Sequence, residues 1–265
     1  MKKILSAVAA LSMLACFIGC ESTKADGSGN GASSYVITEG DDVVGYFQFE
    51  EDDIVDNEVK DYSGYGLYAT NASLDDPIYE EGVHGSALYF NGEDEYLTLD
   101  PEVVDGDGLT VAAWIKPDGA WQIWARFFDF GDTLKDIFVA ADGRQPGTLV
   151  FYEQETAASC NCPIPPAGRW VHVAATFGDG KIALYVNGKL SQELPCSVTT
   201  EDLAMENNLA CYVGRSNWPD PLFRGSMDDL LIARRKFSKS EIKAVYNGIV
   251  VPGEAAEAAA DADAE

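Results

Sequence analysis

The chain is poor in basic residues and in histidine. Its 265 residues include 18 Lys and Arg against 44 Asp and Glu, which gives a formal net charge of −26. The chain contains two His. Nucleic-acid binding depends on basic side chains that displace counterions from phosphate groups, so this charge balance excludes nucleic acid as a partner. The two isolated histidines, His84 and His172, also provide no Ser-His-Asp triad and no histidine-based metal cluster.

A long membrane-spanning run is missing as well. The longest apolar stretch, residues 4–18, follows the basic start Met1-Lys2-Lys3 and is shorter than the roughly 20 apolar residues of a transmembrane helix. It is typical of a secretory signal, which we predict for residues 1–19. The stretch ends in Gly19-Cys20, which resembles the lipobox of bacterial lipoproteins, with Cys16 as the rival site. This resemblance implies a lipid on Cys20 and a location in the cell envelope, anchored to the outer membrane on its periplasmic or its outer side; a cleaved signal without lipid is the alternative.

The rest of the chain is predicted to form three parts. Residues 20–42 are rich in Gly and Ser, a composition typical of a flexible tether. Residues 43–249 contain short apolar runs separated by turn residues, and since β-sandwiches and barrels often extend over roughly 200–250 residues as one unit, we predict a single domain there. Residues 250–265 consist mostly of Ala, Glu and Asp, which predicts a disordered acidic tail.

Four cysteines lie within the predicted domain: Cys160, Cys162, Cys196 and Cys211. Four cysteines allow three pairings, and an exported protein favours disulfides. A bridge between Cys160 and Cys162 would close a very tight ring, so we expect each of them to pair with Cys196 or Cys211. Thiolate ligation of a metal is the alternative, but Cys-x-Cys without a nearby His is a poor zinc signature.

The apolar pattern of residues 43–249 predicts β-strands that form a sandwich or a barrel. In the run 109–116, apolar side chains occupy alternate positions, and Asn187-Gly188 joins two apolar runs in the way typical of a type I′ hairpin. Ser238 and Glu241 precede Ile242 and predict the capping box of a short C-terminal helix.

Seven motifs in one consistent order resemble the laminin-G-like jelly rolls of bacterial surface proteins and appended glycosidase modules, a concanavalin-A-like type. They are residues 61–66 (DYSGYG), 85–92 (GSALYFNG), 109–114 (LTVAAW), 169–174 (RWVHVA), 184–188 (LYVNG), 213–216 (VGRS) and 223–230 (FRGSMDDL). The resemblance covers about residues 43–246. It implies an all-β fold in which two antiparallel sheets form a jelly-roll sandwich with one short C-terminal helix. It does not fix the activity, because this fold carries lectins, adhesion modules, hydrolases and lyases.

The resemblance also implies a structural Ca²⁺ held by Glu50, Asp61 and Asp228. Calcium takes six to eight oxygen ligands from carboxylates and carbonyls. The alternative is that the acidic loop after the first strand is merely solvated and that Asp61 caps the turn that follows it. Neighbouring carboxylates that provide further oxygens are Glu51, Asp52, Asp53 and Asp229.

Tryptophans in loops are the candidate glycan contacts, since a sugar ring stacks on an aromatic face. Trp218 is expected to be exposed because Pro219 and Pro221 prevent regular structure around it. Together with Arg215 and Asp220 it would combine stacking with hydrogen bonds; the alternative is that Trp218 packs its own loop onto the sheet. Two further loop candidates are Trp121 and Trp124, whereas Trp114 and Trp170 lie in strands and are expected in the core.

No catalytic arrangement emerges from the sequence. The Glu-x-Asp-x-x-Glu signature of hydrolases with this fold is absent, and residues 51–56 imitate only part of it. We therefore expect a non-catalytic, lectin-like module of the cell envelope that binds a polysaccharide, another glycan or matrix. The alternatives are an envelope lipoprotein that binds a surface protein without glycan affinity and, least favoured, a glycan hydrolase or lyase.

Overall fold

The computed structural model describes residues 42–70, 76–204 and 209–249. The predicted signal, the lipidation site Cys20, nearly all of the tether and the acidic tail lie outside these residues. Among the described residues, no helix is both long enough and apolar enough to span a bilayer.

Short strands are the main regular elements of the described part of the chain, which also has two short α-helices. The helices are α1 (Thr200–Ala204) and α2 (Lys239–Tyr246), and a 3-10 turn spans Pro101–Val104. The strands are β1 (Val43–Phe47), β2 (Ile54–Val55), β3 (Glu58–Val59), β4 (Ala69–Thr70), β5 (Ile78–Glu81), β6 (Ser86–Asn91), β7 (Leu97–Leu99), β8 (Gly108–Pro117), β9 (Arg126–Gly131), β10 (Asp136–Ala141), β11 (Thr148–Glu153), β12 (Ser159–Pro163), β13 (Val171–Gly178), β14 (Lys181–Val186), β15 (Lys189–Pro195), β16 (Ala210–Val213) and β17 (Arg224–Ala233).

These strands form two antiparallel sheets, as predicted for the sandwich. The eight-stranded sheet has the order β15-β14-β13-β8-β17-β6-β5, with β1 also paired to β17. The nine-stranded sheet has the order β12-β11-β10-β9-β16-β7-β4-β3-β2. Hairpins of consecutive strands alternate with pairs that are distant in sequence, such as β8 with β17 and β9 with β16, and the chain crosses repeatedly between the sheets. The predicted all-β, two-sheet fold class is confirmed.

The main core lies between the two sheets because side chains alternate between the faces of each strand. In β8, Val111, Ala113 and Ile115 point into this core, whereas Ala112 lies on the opposite face. Phenylalanine rings from both sheets fill much of the same space. The alternation predicted for this run is therefore confirmed.

The helix α2 covers the outer face of the eight-stranded sheet. Ile242 belongs to the apolar cluster on that face, and the predicted capping box is present between Ser238 and Glu241. Trp114, expected in the core, instead lies half-buried beneath α2, where its ring centroid is 5.4 Å from that of His172 and 5.3 Å from that of Tyr246. The position of Trp114 follows from the same alternation, which turns the residue after Ala113 outward.

The predicted hairpin at Asn187-Gly188 is also confirmed. Asn187 has φ 49° and Gly188 has φ 70°, the pair of positive angles that a type I′ turn requires. Several short elements have no clear sequence signal. They include β2, β3 and β4, each of two residues, and α1, of five residues.

The predicted disulfides are absent: all four cysteines of the described chain are free thiols. Cys160 and Cys162 lie on β12, and Cys211 lies on β16, with three strands between them. Four strand spacings amount to about 19 Å, far beyond the roughly 4–7 Å between the Cα atoms of a disulfide. The expected pairing of Cys211 with either residue is therefore wrong. Burial raises the pKa of Cys160 to about 11 and that of Cys162 to about 12, which keeps both thiols protonated at neutral pH.

Candidate functional site

A cavity of about 330 Å³ lies on the outer face of the nine-stranded sheet, the face turned away from the main core. This volume is at the lower end of the roughly 300–1,000 Å³ of ligand pockets. Strands β9, β10 and β11 supply its floor, and the loop between β16 and β17 supplies one wall. The lining residues are Trp124, Arg126, Phe138, Arg144, Tyr152, Gln154, Trp218, Pro219 and Asp220.

The cavity brings together three of the five predicted ligand contacts, Trp124, Trp218 and Asp220. They come from two loops that are far apart in sequence, so their proximity is a product of the fold. Trp218 remains 43% exposed, which agrees with the expectation from its flanking prolines.

The other two predicted contacts do not line this cavity. The guanidinium of Arg215 lies 4.5 Å from the ring centroid of Tyr96 and 4.7 Å from that of Tyr212, so it packs on these two rings instead of lining the cavity. Trp121 packs edge-on against Phe223 at 5.3 Å, and its Nε1 donates a hydrogen bond to the carbonyl of Ala125. Its indole therefore packs against the core.

A β-bulge in β9 places two charged side chains beneath the cavity. Arg126 pairs with Ala140 and Phe128 pairs with Val139, which leaves one extra residue in β9. Such a bulge interrupts the alternation of side chains and re-aims the residues around it. Arg126 and Asp129 consequently lie on the same face, with Nε and Oδ2 3.1 Å apart, although they are three positions apart in a strand.

Arg126 is the centre of a buried ion-pair network. Its Nε donates to Asp129, its Nη2 donates to Asp220 at 3.1 Å, and its Nη1 donates to the carbonyl of Trp124 at 2.9 Å. The guanidinium also lies 3.7 Å from the ring centroid of Phe138. Because the side chain is only 3% exposed, these contacts join the floor of the cavity to both loops that carry its tryptophans.

Hydrogen bonds fix the loop that carries Trp218. Asn217 donates its backbone N–H and its side-chain Nδ2 to the carboxylate of Asp129, each at 3.0 Å. The Ser216 hydroxyl donates to Asp220 and accepts from the backbone N–H of Trp218, again at 3.0 Å. The polar groups around Trp218 therefore hold the loop in place, and much of its ring is left open to the cavity.

Trp124 has an uncommon backbone conformation. Its φ is 66°, a left-handed value that costs a residue with a side chain on the order of 1–2 kcal/mol. Its N–H donates to the carbonyl of Ala141 at 3.0 Å. A Cβ atom on Gly143 would lie 2.5 Å from Nε1 of Trp124, so the ring requires a glycine there. Backbone strain of this kind is concentrated at functional sites.

Arg144 is the most exposed charged side chain of the cavity. Its guanidinium lies 4.2 Å from the ring centroid of Tyr152, and its Nε donates to Oδ1 of Asp142 at 3.1 Å. The side chain of Arg144 is 44% exposed, whereas that of Asp142 is 4% exposed. Arg144 is thus oriented by its neighbours and still accessible to a ligand.

Asp136 is a buried carboxyl group on the same face as the cavity floor. It is fully buried, and neither carboxylate oxygen has a hydrogen-bond partner among the described residues. Burial, reinforced by the charge of Asp129, raises the pKa of Asp136 to about 8. Burial raises the pKa of Asp129 too, but N–H groups of Arg126 and Asn217 donate to Asp129 and favour its charged form. We therefore place the proton on Asp136 at neutral pH.

Sequence reasoning misses most of the cavity floor: Arg126, Phe138, Arg144, Tyr152 and Gln154. One signal points to part of it. Arg126 is a cation inside an apolar run of a chain with few cations, and the adjacent pair Phe127-Phe128 breaks the period of two, which indicates a bulge. The remaining residues depend on the pairing of β10 with β11, which no local pattern specifies.

Two of the three predicted calcium ligands approach the turn between β5 and β6. Oδ2 of Asp228 accepts from the backbone N–H groups of Val83 at 2.6 Å and His84 at 3.0 Å, and Glu50 accepts from that of Ser86 at 3.0 Å. Asp228 is fully buried, and its Oδ1 has no hydrogen-bond partner among the described residues. Burial raises its pKa to about 7. A buried carboxylate oxygen without a donor fits a cation.

Next to this oxygen, His84 and Asp229 complete a small cluster. One ligand atom each from His84, Asp228 and Asp229 lies within 4.8 Å of the others. His84 Nδ1 is 2.5 Å from Asp229, whose other oxygen accepts from the hydroxyl of Tyr46 at 2.8 Å. The sequence predicts Asp229 as a further source of oxygen but gives His84 no such role.

Asp61, the third predicted calcium ligand, has a different environment. Its two carboxylate oxygens accept five hydrogen bonds of 2.6–3.1 Å, from the backbone N–H groups of Tyr46, Ser63, Gly66 and Leu67 and from the hydroxyl of Ser63. These donors leave little room for a cation. Asp61 therefore matches the alternative in which it caps the turn that follows it, between β3 and β4, and it does not fit the calcium ligand set.

Comparison with known proteins supports one family. The family model described as "Concanavalin A-like lectin/glucanases superfamily" matches residues 91–243. The human collagen alpha-1(XVIII) chain is 30% identical over 99 residues, which is 35% of this chain but only 6% of the length of that relative.

Solved structures with low sequence identity share the fold. Domain 4 of the arabinanase AbnA from Geobacillus stearothermophilus, solved with arabinotriose, is 22% identical with a TM-score of 0.62, over 77% of this chain and 98% of that one. A botulinum neurotoxin type C structure, from work that ties cell entry to two ganglioside molecules, has a TM-score of 0.57 at 16% identity, over 80% of this chain and 52% of that one. Trypanosoma rangeli sialidase has a TM-score of 0.56 at 16% identity, over 79% of this chain and 34% of that one.

Proposed function

The chain belongs to the concanavalin A-like lectin/glucanases superfamily, and from this premise we propose that it is a glycan-binding, non-catalytic module whose binding site is the cavity beside Trp218. The observation that carries the proposal is the exposed face of Trp218, held by hydrogen bonds next to accessible polar groups. An aromatic face with polar groups beside it suits a sugar, which has apolar C–H faces and hydroxyl edges.

Further support comes from the polar groups in the cavity. Arg144 presents donors, and Asp220 uses only Oδ2 in its bonds to Arg126 and Ser216, so its Oδ1 is available as an acceptor. The side chain of Asp220 is 23% exposed. The complex of AbnA domain 4 with arabinotriose and the ganglioside dependence of the neurotoxin make carbohydrate a plausible class of ligand for this fold.

The carboxyl groups favour binding over catalysis. Glycoside hydrolysis uses two carboxyl groups that flank the scissile bond. In the described cavity, Asp129 is completely buried and saturated by Arg126 and Asn217, and Asp136 is also buried, which leaves Asp220 as the accessible carboxylate. Turnover of a polysaccharide that is lost on substitution of Asp220 would instead support the enzyme alternative.

Replacing Trp218 by Ala tests the binding site. We expect Trp218→Ala to weaken glycan binding at least tenfold, since about 1.4 kcal/mol corresponds to a factor of ten, and to leave the melting temperature nearly unchanged because the ring is exposed. Isothermal titration calorimetry with the best ligand from a glycan array measures the first effect, and thermal unfolding measures the second.

Tyr68 provides a matched control, because it is an exposed aromatic side chain outside the cavity, 59% accessible. Tyr68→Ala should retain full glycan affinity. If no glycan binds, or if Trp218→Ala binds as well as the unchanged protein, the proposal is wrong; capture of a surface protein by the same cavity would then support the protein-binding alternative.

We also propose that Glu50 and Asp228 hold a structural Ca²⁺ at the turn between β5 and β6, since the buried Oδ1 of Asp228 has no other partner among the described residues. An ion that binds only the folded state stabilises it, by about 2.7 kcal/mol at a hundred times Kd. We expect a chelator to lower the melting temperature of the unchanged protein by several degrees and to leave that of Asp228→Asn unchanged. A melting temperature that is insensitive to both chelator and added Ca²⁺ would reject this site.

A further inference from the structure

The ionised side chains around the cavity are paired with one another. Arg126 pairs with Asp129 and Asp220, and Arg144 pairs with Asp142. Two guanidinium groups thus face three carboxylates, which leaves one negative charge. Asp136 is a fourth carboxyl group near the cavity, but it is protonated at neutral pH and adds no charge.

This balance opposes the binding of an anionic ligand. Arg144 is already paired with Asp142, and the partly exposed carboxylate of Asp220 repels a carboxylated or sulfated sugar. The whole chain has a formal net charge of −26, so long-range electrostatics also slow the approach of anions.

Two aromatic rings of the cavity floor are already covered by guanidinium groups. Arg126 lies 3.7 Å from the centroid of Phe138, and Arg144 lies 4.2 Å from that of Tyr152. The exposed ring of Trp218 therefore remains as the aromatic face on which a ligand stacks.

We propose that the cavity selects neutral oligosaccharides and discriminates against glycans that carry carboxylate or sulfate groups. This inference rests on the proposed glycan-binding function and names the chemical class of its ligand. It places the source of selectivity in the pairing of Arg144 with Asp142, because Arg144 is the accessible cation of the site.

A glycan array probed with the full chain tests this selectivity. The array needs pairs that share a backbone and differ in charge, such as methyl-esterified and unesterified oligogalacturonides, together with neutral arabinan, xylan and glucan oligosaccharides. We expect every Trp218-dependent signal to come from a neutral glycan. Titration calorimetry should then give an affinity that changes less than twofold between about 50 mM and about 500 mM salt, because no ion pair forms with the ligand.

The variant Asp142→Asn provides a gain-of-function test. It removes the charge that neutralises Arg144 and retains an oxygen that accepts from the Arg144 Nε. We expect the ratio of the affinity for unesterified oligogalacturonide to that for its methyl-esterified form to be at least tenfold higher in Asp142→Asn than in the unchanged protein.

The outcomes separate this inference from the proposed function. Trp218-dependent binding of an anionic glycan that is tighter than that of any neutral one overturns the selectivity and leaves the glycan-binding function intact. No gain for Asp142→Asn overturns the role of the Arg144–Asp142 pair. No Trp218-dependent signal from any glycan overturns both proposals.

Discussion

Replacing Arg126 by Met lowers the free energy of unfolding by about 3–5 kcal/mol, because removing one partner of a buried ion pair leaves the other charge uncompensated. The remaining charge is the carboxylate of Asp129, which is completely buried, and Asp220 loses its partner as well. For a domain of this size, each kcal/mol shifts the melting temperature by about 2–4 °C, so we expect a decrease of about 10 °C in thermal unfolding.

A double substitution identifies the cause of this loss. Arg126→Met combined with Asp129→Asn removes both charges, and it should recover part of the melting temperature because no ionised group is left unpaired at the centre of the network. Arg224→Met serves as a control: Arg224 pairs with Asp118 at the exposed surface, so its loss should hardly change the melting temperature. If Arg126→Met and Arg224→Met have equal effects, the network around Arg126 is not a structural element of the cavity.

The same substitution has a functional consequence that stability alone does not explain. Arg126 donates to Asp220 and to the carbonyl of Trp124, so it connects the two loops that carry the tryptophans. At a temperature where Arg126→Met is still folded, its glycan affinity should be reduced at least as much as that of Trp218→Ala. The two variants should differ in melting temperature, which is lowered in Arg126→Met and nearly unchanged in Trp218→Ala.

The fold class was accessible from sequence because its signals are local. The alternation in β8, the Asn187-Gly188 turn and the Ser238 capping box each involve neighbouring residues, and each is confirmed. The predicted disulfides were wrong because they depend on a non-local property of the fold. That property is the distance between β12 and β16, which is set by strand order across a sheet and not by any pattern along the chain.

The candidate site was accessible only in part, for a similar reason. Trp218 and Asp220 are in a loop with two prolines, whose composition predicts exposure. Arg126 and Phe138 meet across the β9–β10 pair, and the bulge that turns Arg126 and Asp129 to one face is a property of that pairing. Asp61 lies within a matching motif but does not act as the motif implies, because four donors of its own loop and the backbone N–H of Tyr46 in β1 occupy its oxygens.

Replacing Asp136 by Asn should stabilise the protein, and by an amount that grows with pH. The pKa of Asp136 is raised to about 8 in the folded state, chiefly by burial, whereas an unfolded Asp has a pKa of about 3.9. At a pH between these two pKa values, Asp136 keeps its proton in the folded state and releases it in the unfolded state. Stability therefore falls as pH rises from about 4 to about 8, by up to about 1.4 kcal/mol per pH unit, and levels off above that range.

Asn cannot ionise and has nearly the shape of the protonated carboxyl group, so the variant escapes this loss. We expect Asp136→Asn and the unchanged protein to have similar melting temperatures near pH 4 and the variant to melt several degrees higher near pH 8. The other titratable groups are common to both proteins, including the buried His172, so they cancel in the difference, apart from Asp129, whose charge interacts with that of Asp136. A difference that stays constant with pH, or that diminishes as pH rises, would mean that Asp136 is ionised in the folded protein and that the proton of the Asp129–Asp136 pair has been assigned to the wrong residue.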